Sequence, residues 1–181
     1  KGKNGFVYFA SGHYVYMGGG VYWHEVTADP VGVNDFWQFN VLTQEWKQMA
    51  DIPFTPVDNR SVNSTCTDGE TAYTFFYDRT LWSYHVPTDA WMQEGRLDVG
   101  PFFRYGSPLC MWEGKVCLLG SVVDLYEQYT DVQLYDPVTK EWAFLGLFDF
   151  NSFMSIWFIP SVYQKDGAIY MGPLQQLSID V

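Results

Sequence analysis

Basic residues are scarce in this chain: lysine and arginine number 10 against 21 aspartates and glutamates, for a formal charge of −11. Gripping a phosphate backbone needs the opposite balance, which argues against nucleic acid as a partner. An acidic surface of this kind favours solubility. Histidine is rarer still, with three copies. His13, His24 and His85 show no ligand spacing such as His-x-His, so neither a metal centre nor another cofactor is expected. No glycine-rich loop opens a helix, because Gly18-Gly19-Gly20 precedes a long loop. Long apolar runs are missing as well. None approaches the ~20 residues that cross a bilayer, so no membrane insertion is expected. Lys1–Phe9 lacks the apolar centre of a signal peptide, and any targeting segment is expected outside Lys1–Val181.

Cysteine is limited to three copies, an odd number. Cys110 and Cys117 flank Met111-Trp112-Glu113-Gly114-Lys115-Val116, which reads as a hairpin turning on Glu113-Gly114. Counting outward, Cys110 faces Cys117 as a hydrogen-bonded pair, with Cα atoms about 5.5 Å apart. The side chains then stand parallel, a geometry that strains a disulfide. Two free, half-buried thiols are the preferred reading, and the redox compartment stays open.

Aromatics, by contrast, are abundant, at 19% of residues within a hydrophobic content of 48%. That composition excludes a disordered chain, and 181 residues suffice for a domain with a sizeable core. Three strings align without a gap: Phe39–Trp46, Tyr84–Trp91 and Tyr135–Trp142. Each opens on an aromatic and ends on Trp, with Thr43, Thr88 and Thr139 at the fifth position. The Trp residues fall at 46, 91 and 142, intervals of 45 and 51. A long-period repeat follows.

A period near that length carrying this string resembles the kelch repeat, a four-stranded propeller blade. The resemblance implies an all-β fold, a kelch-type β-propeller of four-stranded antiparallel blades, with about half a ring in this chain. The whole chain, 1–181, reads as a partial kelch propeller. Blade 1 spans about 5–50, blade 2 about 60–93, blade 3 about 104–146 and a partial blade 4 about 155–181. Trp46, Trp91 and Trp142 are its structural anchors. Val21–Asn34 is expected to be a variable loop after the second strand, and blade 2 to have lost that loop at Asp78-Arg79. A WD-repeat propeller has a similar period, but no Trp-Asp dipeptide ends a strand here. An immunoglobulin-like sandwich would not repeat the string at this spacing. An open arc exposes aromatic blade faces and an edge strand at Leu174–Val181, so completion by another chain or chain segment is expected.

In kelch propellers the partner usually sits on the face gathering the loops after the second strand and before the first. The resemblance places Tyr22, Trp23, His24 and Glu25 there, with Tyr126, Glu127 and Tyr129 from the third blade. Asn59, Arg60, Phe103 and Arg104 come from the other loops. Exposed aromatics with adjacent charge suit a binding hot spot, although the same rings can fold back over their own loops. Arg60 and Arg104 match an arginine that in ligase adaptors of this family grips acidic peptides, and that elsewhere ties one blade to the next. Asn59-Arg60-Ser61 and Asn63-Ser64-Thr65 are candidate glycosylation sequons. An intracellular setting is preferred by a small margin, and use of either sequon would mean secretion.

No catalytic residue is read from spacing. The expected function is therefore a non-enzymatic protein-interaction module or scaffold that binds protein partners through propeller loops. The alternative is part of a secreted carbohydrate-active oxidase or sugar-processing propeller.

Overall fold

Short aromatic and β-branched runs separated by tight turns favour strands over helices. The computed structural model describes residues 5–27, 29–53, 62–100, 104, 106–122, 128–147, 162–165, 168–171 and 175–177. Among them the only helical element is a single 3-10 turn, Val86–Thr88. The first sheet begins with β1 (Val7–Ser11) and β2 (Tyr14–Gly18). A separate hairpin follows, β3 (Val21–Trp23) and β4 (Pro30–Gly32), before β5 (Phe36–Asn40) and β6 (Trp46–Met49) complete that sheet in the order β1-β2-β5-β6. The segment read as a variable loop thus contains a two-stranded ribbon of its own.

The second sheet joins β7 (Val62–Thr67), β8 (Thr71–Phe76), β9 (Thr80–His85) and β10 (Ala90–Arg96) in sequence order. The third joins β11 (Leu109–Trp112), β12 (Lys115–Val122), β13 (Gln128–Asp136) and β14 (Glu141–Leu147) likewise. Three described strands form the fourth: β15 (Val162–Lys165), β16 (Ala168–Met171) and β17 (Gln175–Leu177). Every pairing is antiparallel.

The repeated string is a turn with local chemistry. Asn40 Oδ1 accepts from the backbone N–H groups of Leu42 and Thr43, at 2.9 and 3.2 Å. Asp136 Oδ1 does the same for Val138 and Thr139, at 2.8 and 3.3 Å. Such Asx contacts fix the turn before any tertiary packing exists. The sixth residue of each string is left-handed, with φ of 61° at Gln44, 52° at Asp89 and 62° at Lys140. In the Cys110–Cys117 hairpin, Glu113 and Gly114 both have positive φ, as a type I′ turn requires. That turn sets Cys110 opposite Cys117, and both thiols are free and buried. Gly18 has a steric role: a Cβ there would lie 2.1 Å from the Asp35 carbonyl oxygen.

Register places the same cross-strand row on each four-stranded sheet. The rows are Ala10–Val15–Phe39–Trp46, Thr67–Ala72–Tyr84–Trp91 and Met111–Val116–Tyr135–Trp142. Side chains alternate across a strand, so each row lies on one face. On the second sheet that face packs on the first: Ala72, Tyr84 and Trp91 join Phe9, Tyr16, Phe36 and Ile52. On the third it packs on the second, where Val116, Tyr135 and Trp142 meet Tyr73, Phe75, Leu81 and Leu97. The fourth sheet continues the stack through Ile169 and Val162, against Cys117, Leu119 and Leu134.

Candidate functional site

By strand direction, the connections β2–β5, β8–β9 and β12–β13 share one end of the stack with the segment before β11. The β3–β4 ribbon rises from that end. Trp23 closes β3 half exposed, and His24 follows it in the turn. The His24 backbone N–H donates to the Asp29 carbonyl at 2.9 Å. Its Nδ1 accepts from the backbone N–H groups of Val26 and Thr27, at 3.4 and 3.3 Å. The ring is thereby oriented as a turn residue, while Tyr22 is half-buried and Glu25 exposed.

Arg104 behaves differently from an exposed reader of acidic peptides. It is fully buried, with Nη1 and Nη2 donating to the two Asp131 carboxylate oxygens at 3.0 and 2.6 Å. Gln133 Nε2 donates to the same carboxylate at 2.9 Å. The guanidinium also lies 5.8 Å from the Tyr129 ring centroid, and the Arg104 backbone N–H donates to the Tyr77 carbonyl on the second sheet at 3.0 Å. A fork already paired and desolvated has no capacity left for a carboxylate from solution. Arg104 thus ties the second sheet to the third, and Tyr129 and Arg104 are brought together. Gly100 makes room for them, because a Cβ there would lie 2.3 Å from Nη2. Asn59, Arg60, Phe103, Tyr126 and Glu127 lie outside the described residues. Asn63 falls within β7.

Polar links also cross between sheets at the opposite end. Asp89 Oδ1 accepts from the Tyr84 hydroxyl at 2.7 Å and from the Ala50 backbone N–H at 2.8 Å. Trp91 Nε1 donates to the Ala50 carbonyl at 3.0 Å. One sheet on, Glu94 accepts from the Tyr135 hydroxyl at 2.8 Å, from Ser83 Oγ at 2.7 Å and from Lys140 Nζ. Burial pushes the Tyr84 and Tyr135 phenols up, and their carboxylate partners push them further. Asp89 lies in the repeated string, whereas no motif marks Glu94 or Asp131. Stacking of successive sheets brings residues 27 to 46 apart into contact.

Among the described residues no group of three or more His, Cys, Asp or Glu is arranged to hold a metal ion. Burial pushes the Cys66 thiol up, and at Cys117 a hydrogen bond with Cys110 followed by burial does the same. Neither thiol is an activated nucleophile. Among the same residues no helix is long and apolar enough to cross a membrane.

The repeated four-stranded antiparallel sheets define an all-β architecture resembling part of a propeller-like fold. The solved structure of YjhT is similar to this chain, with a TM-score of 0.62 at 14% identity over 80% of the chain. The chain spans only 52% of the length of that protein. No protein-family model matches.

That likeness overturns the expectation of a purely non-enzymatic interaction module or scaffold. The expectation rested on three scattered histidines and no catalytic spacing. A site assembled from loops of several sheets leaves no such spacing in a chain that covers half of a matched propeller-like fold.

Proposed function

We propose that this chain forms part of a carbohydrate-processing β-propeller. The observation that carries the reading is the likeness to YjhT, which supports a catalytic role over a purely binding one. The sheets are read as consecutive blades of a kelch-like ring, with the chain contributing about half of it. Three features support that finer assignment: the repeated turn string, its left-handed sixth residue and the repeated cross-strand row.

Within this reading the β3–β4 ribbon supplies a sugar platform. Trp23 is half exposed beside Tyr22 and His24, and an indole of this kind offers an apolar face with a polar edge. Sugars present matching C–H faces and hydroxyls. The test is saturation-transfer NMR of the protein with a panel of neutral and acidic monosaccharides. Signals that weaken in Trp23→Ala are expected. A folded protein that gives none with any sugar would sink the proposal.

A further inference from the structure

We infer that Cys110 and Cys117 form a reversible redox site, a dithiol that small-molecule disulfides oxidise to a cross-strand disulfide. Register sets the two residues directly opposite each other on β11 and β12. The Leu119 N–H donates to the Pro108 carbonyl at 3.0 Å, so that pair is hydrogen-bonded, and by alternation so is Cys110–Cys117. Such a pair holds its Cα atoms about 5.5 Å apart, inside the span that a disulfide accepts. The two thiols already share a hydrogen bond. The Glu113-Gly114 turn fixes this approach, so no backbone rearrangement is needed to bring the sulfurs together.

Cys66 stands apart from the pair. Its thiol donates to Met111 Sδ at 3.6 Å and lies in the apolar cluster between the second and third sheets. Cys110 and Cys117 lie on the other face, among Leu119, Val132, Leu134 and Ile169. Directly opposed, parallel side chains suit a disulfide poorly, and strained disulfides are the ones that thiols readily reduce. That makes the bond a reversible one.

The chemistry balances with one co-reactant, a low-molecular-weight disulfide. Cys110 is 5% exposed on the edge strand of its sheet, so local opening presents its thiol first. Its sulfur loses a proton and attacks the small disulfide, giving a mixed disulfide and one small thiol. The Cys117 sulfur then loses its proton and displaces the second small thiol. The protein gives up two electrons and two protons, and the two small thiols carry them away. The hydrogen bond with Cys110, together with burial, keeps the Cys117 thiol protonated, so exchange is slow. Closure draws the sulfurs to about 2 Å. It does so where Val162 and Ile169 of the fourth sheet pack on the same cluster, so β15 and β16 feel the oxidation. Carbohydrate chemistry plays no part in this inference.

The test incubates the folded protein in oxidised and reduced glutathione at a series of ratios. Unfolding, labelling of free thiols with N-ethylmaleimide and mass spectrometry then count what remains. All three cysteines should label under reduced glutathione, and Cys66 alone under oxidised glutathione. Peptide mapping should join Cys110 to Cys117, and excess reduced glutathione should restore full labelling. Hydrogen exchange should change in β15 and β16 on oxidation and stay the same in β1 and β2. Cys66→Ser should close the same bond, and Cys110→Ser should close none. Three labels at every ratio, a bond to Cys66 or glutathione that stays attached overturns the inference. So does a bond that survives excess reduced glutathione, or one that forms only in denaturant.

Discussion

Glu94 is the residue on which the second and third sheets meet. Its side chain is 3% exposed, yet it accepts hydrogen bonds from Ser83, Tyr135 and Lys140. Burial pushes its carboxyl up, but the bonds from Lys140, Ser83 and Tyr135 together outweigh that and hold it below the usual 4.5. A carboxyl lowered by folding adds stability that is complete above its unfolded value and is lost as pH falls through the folded one. Acid should therefore weaken the second–third sheet contact below pH 4.5. Glu94→Gln keeps the shape and removes the charge. It should cost about 1–3 kcal/mol at neutral pH, since hydrogen bonds to charged groups are the strong ones. It should also flatten the stability profile on the acid side. Urea unfolding at neutral and stepwise lower pH measures both, and parallel profiles for parent and variant would refute the role. Arg104 teaches a related lesson at this scale. Its identity was readable, but its burial against Asp131 follows from stacking alone.

Trp91 in β10 and Trp142 in β14 each reach back to the preceding sheet, and the two differ in one bond. Trp91 Nε1 donates to the Ala50 carbonyl, whereas Trp142 Nε1 is buried with no hydrogen-bond partner. Both rings pack on the tyrosine of their own string and on the neighbouring core. Phenylalanine keeps most of that packing and deletes the donor. Trp91→Phe should consequently cost more than Trp142→Phe, by about 1 kcal/mol, because only the first leaves a carbonyl unpaired. Chemical denaturation of the two variants decides, and equal costs would contradict it. This is also the scale at which the sequence was most legible. The Asn40 and Asp136 turns, the Glu113-Gly114 hairpin and the Cys110–Cys117 pairing are local, so neighbouring residues encode them. The β3–β4 ribbon was not legible, because a three-residue run such as Val21–Trp23 between glycines and a Pro30 edge is too short to show alternation. Ala50, Glu94 and Asp131 were hidden for another reason: their partners are set by how sheets stack, over sequence separations that no motif spans.

Stacking also determines how the whole molecule should respond to damage. Each apolar cluster joins two successive sheets: the first with the second, the second with the third, the third with the fourth. Sheets that touch only their neighbours share stability through nearest-neighbour interfaces, so a defect stays near its origin. Phe36 sits at the first interface, fully buried, with its ring centroid 5.0 Å from that of Tyr84 and 5.2 Å from that of Trp91. Phe36→Ala removes both contacts and leaves a cavity, at a cost of about 3–5 kcal/mol. The first sheet has no other described sheet to lean on, so it should open first. Hydrogen exchange followed by mass spectrometry should then show faster exchange in β1, β2, β5 and β6, with β11, β12 and β13 keeping the protection of the parent. If exchange instead rose equally in all the sheets, the chain would be one cooperative unit and the neighbour-by-neighbour account would fall.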